Sequence, residues 1–149
     1  QQIYLRALQT LPNFQIVLGH FLSHQVRMRM VNPPELGSPY VLVWKTEEKG
    51  SDVNLATHLL TDAHRERFET AVVVSNDSDL VGPVRVITKE YGKKVGILNP
   101  QKHPSKVLAA HATFFKPIRS GVLRESQFPD VLEDGVGRIS KPIEWQTPG

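Results

Sequence analysis

Ala71-Val72-Val73-Val74-Ser75-Asn76-Asp77-Ser78-Asp79-Leu80 is the stretch on which the fold turns. A run of β-branched residues ends in two carboxylates separated by one serine, and a helical pattern starts at once. That is how a buried parallel strand delivers acids to the carboxyl edge of an open α/β sheet, where such folds bind ligands. Two acids this close repel unless a positive charge lies between them, and a divalent cation is the simplest such charge.

A third acid points to the same edge. Ser51 to Phe68 reads as an amphipathic helix with Ser51 as its N-cap. Its apolar stripe is Ala56, Leu59, Leu60 and Ala63, the spacing of a core-facing side. Asp52 falls on that stripe, where an unpaired charge would be costly to bury. The helix runs directly into the strand at Ala71, so its N-terminus is expected at the edge where the strand ends. Asp52 then arrives near Asp77 and Asp79.

Outward from this centre the chain alternates strand and helix, the rhythm of a parallel sheet flanked by helices. Leu80 to Tyr91 is a helix with Leu80, Val84, Ile87 and Tyr91 on one side, stopped by Gly92. Val95 to Leu98 is a strand, Ser105 to His111 a short helix, and Thr113 to Lys116 a last strand. Upstream, Gln1 to Gln9 reads as the end of a helix and Phe14 to Phe21 as a strand. Val26 to Val31 alternates with Arg27 and Arg29 on one face. It is separated from Tyr40 to Lys45 by a Pro- and Gly-rich loop, giving an antiparallel hairpin excursion. From Ser120 to Gly149 the text is Pro, Gly and charge, read as an extended tail with Trp145 as a possible anchor. One central strand is missing from the pattern, and the chain opens at Gln1 in mid-helix, so an N-terminal piece is expected to precede it.

The chain has 149 residues, enough for one sizeable core. No apolar run is long enough to span a bilayer. The absence of cysteine excludes disulfides and thiolate metal sites, and suits a reducing, cytoplasmic setting. A net charge of +3 around an acidic pocket suits a polyanionic substrate.

Two segments, Glu48-Lys49-Gly50-Ser51-Asp52-Val53-Asn54-Leu55-Ala56 and Val72 to Leu80, together with the Gly92-Lys93-Lys94-Val95 turn, resemble the NYN family of PIN-like nucleases. The resemblance covers roughly Gln1 to Pro129. It implies a Rossmann-like PIN/NYN three-layer sandwich over residues 1–119, N-terminally incomplete, followed by a tail over residues 120–149. It also implies a metal-dependent ribonuclease in which Asp52, Asp77 and Asp79 are the catalytic acids and ligate Mg²⁺ or Mn²⁺. Such an ion would acidify a bound water and stabilise charge on the scissile phosphate of RNA. The chain departs from the family pattern in three places. It lacks an opening Asp-Gly-Phe-Asn strand. It carries Asn76 where relatives often have Gly, and Asn is the best substitute for Gly if that residue needs a positive φ. It has Thr113 in the region where relatives often carry an aspartate. The alternative is a catalytically weakened RNA-binding or scaffolding module. A phosphotransferase lacks its Thr-Gly turn, and a dehydrogenase its Gly-rich phosphate turn.

Each site residue also has an ordinary structural reading. Asp79 suits the N-cap of the next helix, and Asp52 the positive end of its own, whereas Asp77 has no capping role in this reading. Ser75, Asn76 and Ser78 are expected to touch substrate phosphate or orient the acids, with turn formation as the simpler role for the serines. Lys49, Lys102 and Lys106 are the cations placed to touch phosphates. Aromatic residues near the acidic edge are few, so base stacking is not expected there. The architecture is compatible with paired sites in a homodimer.

Overall fold

The computed structural model describes residues 1–145. Its centre is a parallel three-stranded sheet in the order β3 (Thr70–Val74), β4 (Lys94–Asn99), β5 (Phe114–Pro117). The crossovers are α3 (Val81–Lys89) and α4 (Lys106–His111), and α2 (Ser51–His64) precedes β3. The register aligns Val73 with Ile97 and Phe115. All three helices feed one core with the strands. Leu59 and Ala63 come from α2, Val84 and Ile87 from α3, Leu108 from α4, and Val73, Val95 and Ile97 from the sheet, with Leu80 closing it.

Among the described residues this core lies on one face of the sheet, the face of Val73, Val95 and Ile97. Strand periodicity turns Val72 and Val74 to the other face of the sheet, where they are 54% and 59% exposed. Phe114 is aligned with Gly96 on that same face, and a Cβ on Gly96 would run into the Phe114 ring. Glycine there is a packing requirement.

An antiparallel pair, β1 (His20–Arg29) with β2 (Tyr40–Lys49), precedes α2 and forms a separate two-stranded sheet. Its first strand begins at His20, so the expected strand over Phe14 to Phe21 shrinks to its last two residues. Pro12 and the left-handed Asn13 (φ 56°) keep the preceding segment irregular. The helix expected to run to Phe68 ends at His64, because Glu66 adopts φ 56° and turns the chain into β3. Tyr91 leaves the buried stripe of α3 and tilts against His64.

The C-terminal segment is more ordered than expected. Helix α5 (Ser120–Glu125) is followed by an antiparallel hairpin, β6 (Val131–Asp134) and β7 (Gly137–Ser140), and a 3₁₀ turn at Ile143–Trp145. The hairpin docks on α1 (Gln2–Leu8). Arg6 forks onto Asp134, with Nε to Oδ2 and Nη2 to Oδ1 both at 2.6 Å, and Nη2 also donates to the Gly137 carbonyl at 3.0 Å. The guanidinium holds the Asp134 carboxyl far below the usual carboxylate range, aided by N–H donors from Val136 and Gly137. Tyr4 lies edge-on to Phe128 and Trp145, so Trp145 anchors the segment. The rest of the expected tail, residues 146–149, lies outside the described residues.

Candidate functional site

The site grows from the turn that follows β3. The Ser75 hydroxyl accepts the Asp77 N–H at 3.0 Å, and Asp77 Oδ1 accepts the Asp79 N–H at 2.9 Å. Two successive side-chain turns thus shape the backbone from Ser75 to Asp79 before the 3₁₀ turn Ser78–Leu80 begins. The cap of that turn is Asp77, at φ −79° and ψ 125°, rather than Asp79. The expectation that Asp77 lacks a capping role is corrected, and Asp79 is left exposed with its carboxylate free of any side-chain bond among the described residues. Ser78 is exposed beside it.

Asn76 ties this acidic turn to the loop after β4. Its Nδ2 donates to Gln101 Oε1 at 2.8 Å and to the His103 carbonyl at 2.9 Å, and its Oδ1 accepts the Ser105 N–H at 2.7 Å. Asn76 is not among the residues with positive φ, so its place is explained by its amide and not by backbone strain. The same loop is braced from below by Asn99, 2% exposed, whose amide bonds the Gln101 backbone at both N–H and C=O, each at 2.9 Å. Ser105 then caps α4 through the Leu108 N–H. Lys102 and Lys106, on either side of this clamp, are exposed and make no ion pair among the described residues. Arg119 follows the carboxyl end of β5 and adds a third exposed cation to that edge.

The first turn of α2 is built differently from expectation. Its N-cap is Gly50, at φ 96°, and not Ser51. The Glu48 carboxylate supplies the cap, accepting the Ser51 N–H at 3.2 Å and the Ser51 hydroxyl at 2.6 Å. Asp52, in phase with the apolar stripe as expected, is exposed on that first turn, so its charge is not buried. Lys49 is drawn to Glu47 at 3.5 Å, beside the shorter Lys45–Glu47 pair at 2.8 Å. Those lysines, Lys45 foremost, hold the Glu47 carboxyl below its ordinary range.

The structure therefore brings Asp77, Asp79, Ser75, Asn76 and Ser78 together on one turn and hooks the Lys102–Lys106 loop to it. Asp52 and Lys49 stand at the start of α2, which packs against α3 and the turn bearing Asp79. Among the described residues no three His, Asp or Glu side chains form a group able to hold a metal ion. The chain's acids are the hard oxygen donors that Mg²⁺ or Mn²⁺ takes, but as arranged they do not make up a complete ligand set.

Thr113 belongs to the opposite end of the sheet. Its N–H donates to the Val95 carbonyl at 2.7 Å and its hydroxyl accepts the Val95 N–H at 3.0 Å, which starts the β4–β5 pairing. A residue at the amino edge cannot complete a site at the carboxyl edge, so its departure from the family pattern does not bear on the acids. Sequence reasoning missed Asn99 and Gln101, although an Asn ending an apolar strand just before Pro100 is the signature of a side-chain turn.

The family model for the NYN domain matches residues 8–119. A 6-hydroxy-3-succinoylpyridine 3-monooxygenase of Pseudomonas putida is 27% identical over 157 aligned positions, covering 97% of this chain and 50% of that protein. The chain thus spans about half the length of this curated relative. A crystal structure of a protein of unknown function from Vibrio parahaemolyticus superposes with a TM-score of 0.54 at 18% identity, covering 80% of this chain and 61% of that one. That likeness concerns the fold. No helix among the described residues is long and apolar enough to cross a membrane.

Proposed function

The chain belongs to the NYN domain family, a family with a PIN-like nuclease fold, and we propose that it is a ribonuclease whose working edge is the Ser75–Asp79 turn. One observation carries the reading. The Asn76 clamp fastens the acid turn, with Asp79 exposed on it, to a loop whose lysines make no ion pair among the described residues. Acids and cations held on one edge suit a phosphodiester. Lys102 and Lys106 attract and position the phosphates, and Asp77 and Asp79 face the bond to be cut. Asp77 is fixed by its capping bond, whereas Asp79 keeps both carboxylate oxygens available, so Asp79 is the better placed to hold a proton or orient a water. Ser75 and Ser78 shape or line the same turn. Asp52 and Lys49 would join from the start of α2.

Mg²⁺ or Mn²⁺ would be held by Asp77 and Asp79 of this turn with Asp52 from the start of α2, and would need oxygen ligands beyond these three. The setting we propose is a cytoplasmic one.

A second reading has its own observation. The similarity to a protein named as a pyridine monooxygenase extends over 97% of the chain, which favours a small hydroxypyridine as substrate for a member of this family. One substrate panel separates the two. Labelled single-stranded RNA and 6-hydroxy-3-succinoylpyridine with a two-electron reductant in aerated buffer are offered to the same preparation, with Mn²⁺ or with EDTA. RNA cleavage without oxygen consumption supports the ribonuclease. Substrate-dependent oxygen consumption with intact RNA overturns it.

A further inference from the structure

The β1–β2 ribbon has two unlike faces. Its register pairs Arg29 with Tyr40, Arg27 with Leu42, Gln25 with Trp44 and Phe21 with Glu48. Alternation puts all of these on one face, with Ser23 and Thr46 hydrogen-bonded between them at 2.7 Å. Every residue of this face is exposed, Phe21 at 71% and Trp44 at 70%. On the opposite face His24, Val26, Val43 and Glu47 are half-buried, while His20, Leu22, Met28, Val41, Lys45 and Lys49 are exposed. The first, outer face is exposed along its whole length and presents aromatic rings and guanidinium groups to solvent.

We infer that this outer face, centred on Arg27, Arg29, Tyr40 and Trp44, is a docking platform for a single-stranded polynucleotide, and that it feeds RNA toward the acid turn. The inference rests on the RNA-directed reading above. Three observations favour this occupant. Neither arginine has a carboxylate partner among the described residues. The single acid on the face, Glu48, is engaged at the start of α2. The Arg27 guanidinium lies 5.6 Å from the centre of the Tyr40 ring, which holds a cation beside a stacking surface. Tyr40, Trp44 and Phe21 recur every four residues along the ribbon, about 13 Å apart. Rings at that interval offer alternate nucleotides of an extended strand a surface to stack on, and the arginines meet the backbone between them.

The test is anisotropy of a fluorescein-labelled 12-nucleotide oligo(U) RNA, titrated in EDTA over a range of salt concentrations. Arg27→Gln/Arg29→Gln should reduce the slope of log K against log salt by about 1.4, from two phosphate contacts at roughly 0.7 each on a single strand. Trp44→Ala should weaken binding about tenfold with the slope unchanged. Arg85→Gln/Lys89→Gln removes equal charge from α3 and should leave the slope as in wild type. Oligo(dT) of the same length shows whether the platform takes either backbone or RNA alone, and binding of RNA in either pattern supports it. Wild-type affinity in the ribbon variants, an equal effect from the α3 variant, or no binding at all would overturn the inference. So would a Trp44→Ala chain whose only change, by sedimentation, is loss of a dimer. Because binding is read in EDTA, the two readings fail separately. Binding at the ribbon without cleavage removes the ribonuclease, and cleavage at wild-type rate and KM in the ribbon variants removes the platform.

Discussion

Asn76→Ala isolates the clamp on which the candidate site depends. The substitution deletes three side-chain hydrogen bonds, at 2.8, 2.9 and 2.7 Å, that join the acid turn to the loop before α4. A typical net value is about 0.5–1.5 kcal/mol for each bond. The bond to Gln101 is worth least, because that side chain is exposed and water replaces it. The bonds to the His103 carbonyl and the Ser105 N–H hold backbone groups that the loop does not otherwise satisfy. Together they come to about 2 kcal/mol, a fall in Tm of roughly 4–8 °C for a chain of this size. Urea unfolding followed by circular dichroism reads the free energy, and a thermal scan reads the Tm. Asn76→Asp should be no better, since it keeps an acceptor for Ser105 but loses both donors and sets a third carboxylate beside Asp77 and Asp79. A variant within about 0.5 kcal/mol of wild type that shows only a raised KM would refute the clamp and return Asn76 to a substrate-binding role.

Gly96→Ala should destabilise the sheet by about 1–3 kcal/mol, as its Cβ drives Phe114 from its rotamer; a urea midpoint unchanged from wild type would contradict this. The Arg6–Asp134 fork makes docking of the C-terminal hairpin acid-sensitive. The Asp134 pKa is depressed on folding, so the pair's contribution is complete above about pH 4 and is lost as pH falls below it. Trp145 emission should shift to the red over that acid range, and Asp134→Asn should show the shift already at pH 7. Tyr4→Ala removes the ring that Trp145 meets edge-on and should expose the indole to iodide quenching without affecting the urea stability of the sheet core.

The acid turn and the strand–helix alternation were legible because each rests on a short-range pattern. β-branched residues run to an edge, and Leu80, Val84 and Ile87 repeat at helical spacing. Gly92 was legible for the same reason and adopts φ 67°. What was not legible was the division of labour among residues of one type. Asp77 and Asp79 are alike as letters, and only the backbone decides that Asp77 caps while Asp79 faces water. Asp52 sits in phase with the apolar stripe of α2, but the stripe reaches the core only from its second turn onward. The second hairpin had an available signal in Asp134-Gly135-Val136-Gly137, where the Asp134 carboxylate accepts the Val136 and Gly137 N–H groups and Gly137 adopts φ 131°. Charge and glycine around it read as tail. Base stacking was judged from the acidic edge alone, whereas the aromatic rings gather on the ribbon through a register that pairs residues distant in sequence.

The central claim, that the Ser75–Asp79 turn cuts RNA, is tested most directly by Asp77→Asn/Asp79→Asn. Asn caps a turn as well as Asp does, so the variant should keep the wild-type melting temperature. Labelled single-stranded RNA is incubated with each protein in Mn²⁺ and in EDTA. The account predicts cleavage by wild type in Mn²⁺, leaving 5′-phosphate ends, and loss of at least a hundredfold in rate for the folded variant. Equal cleavage by the two proteins, or no cleavage by wild type with RNA still bound, would contradict it.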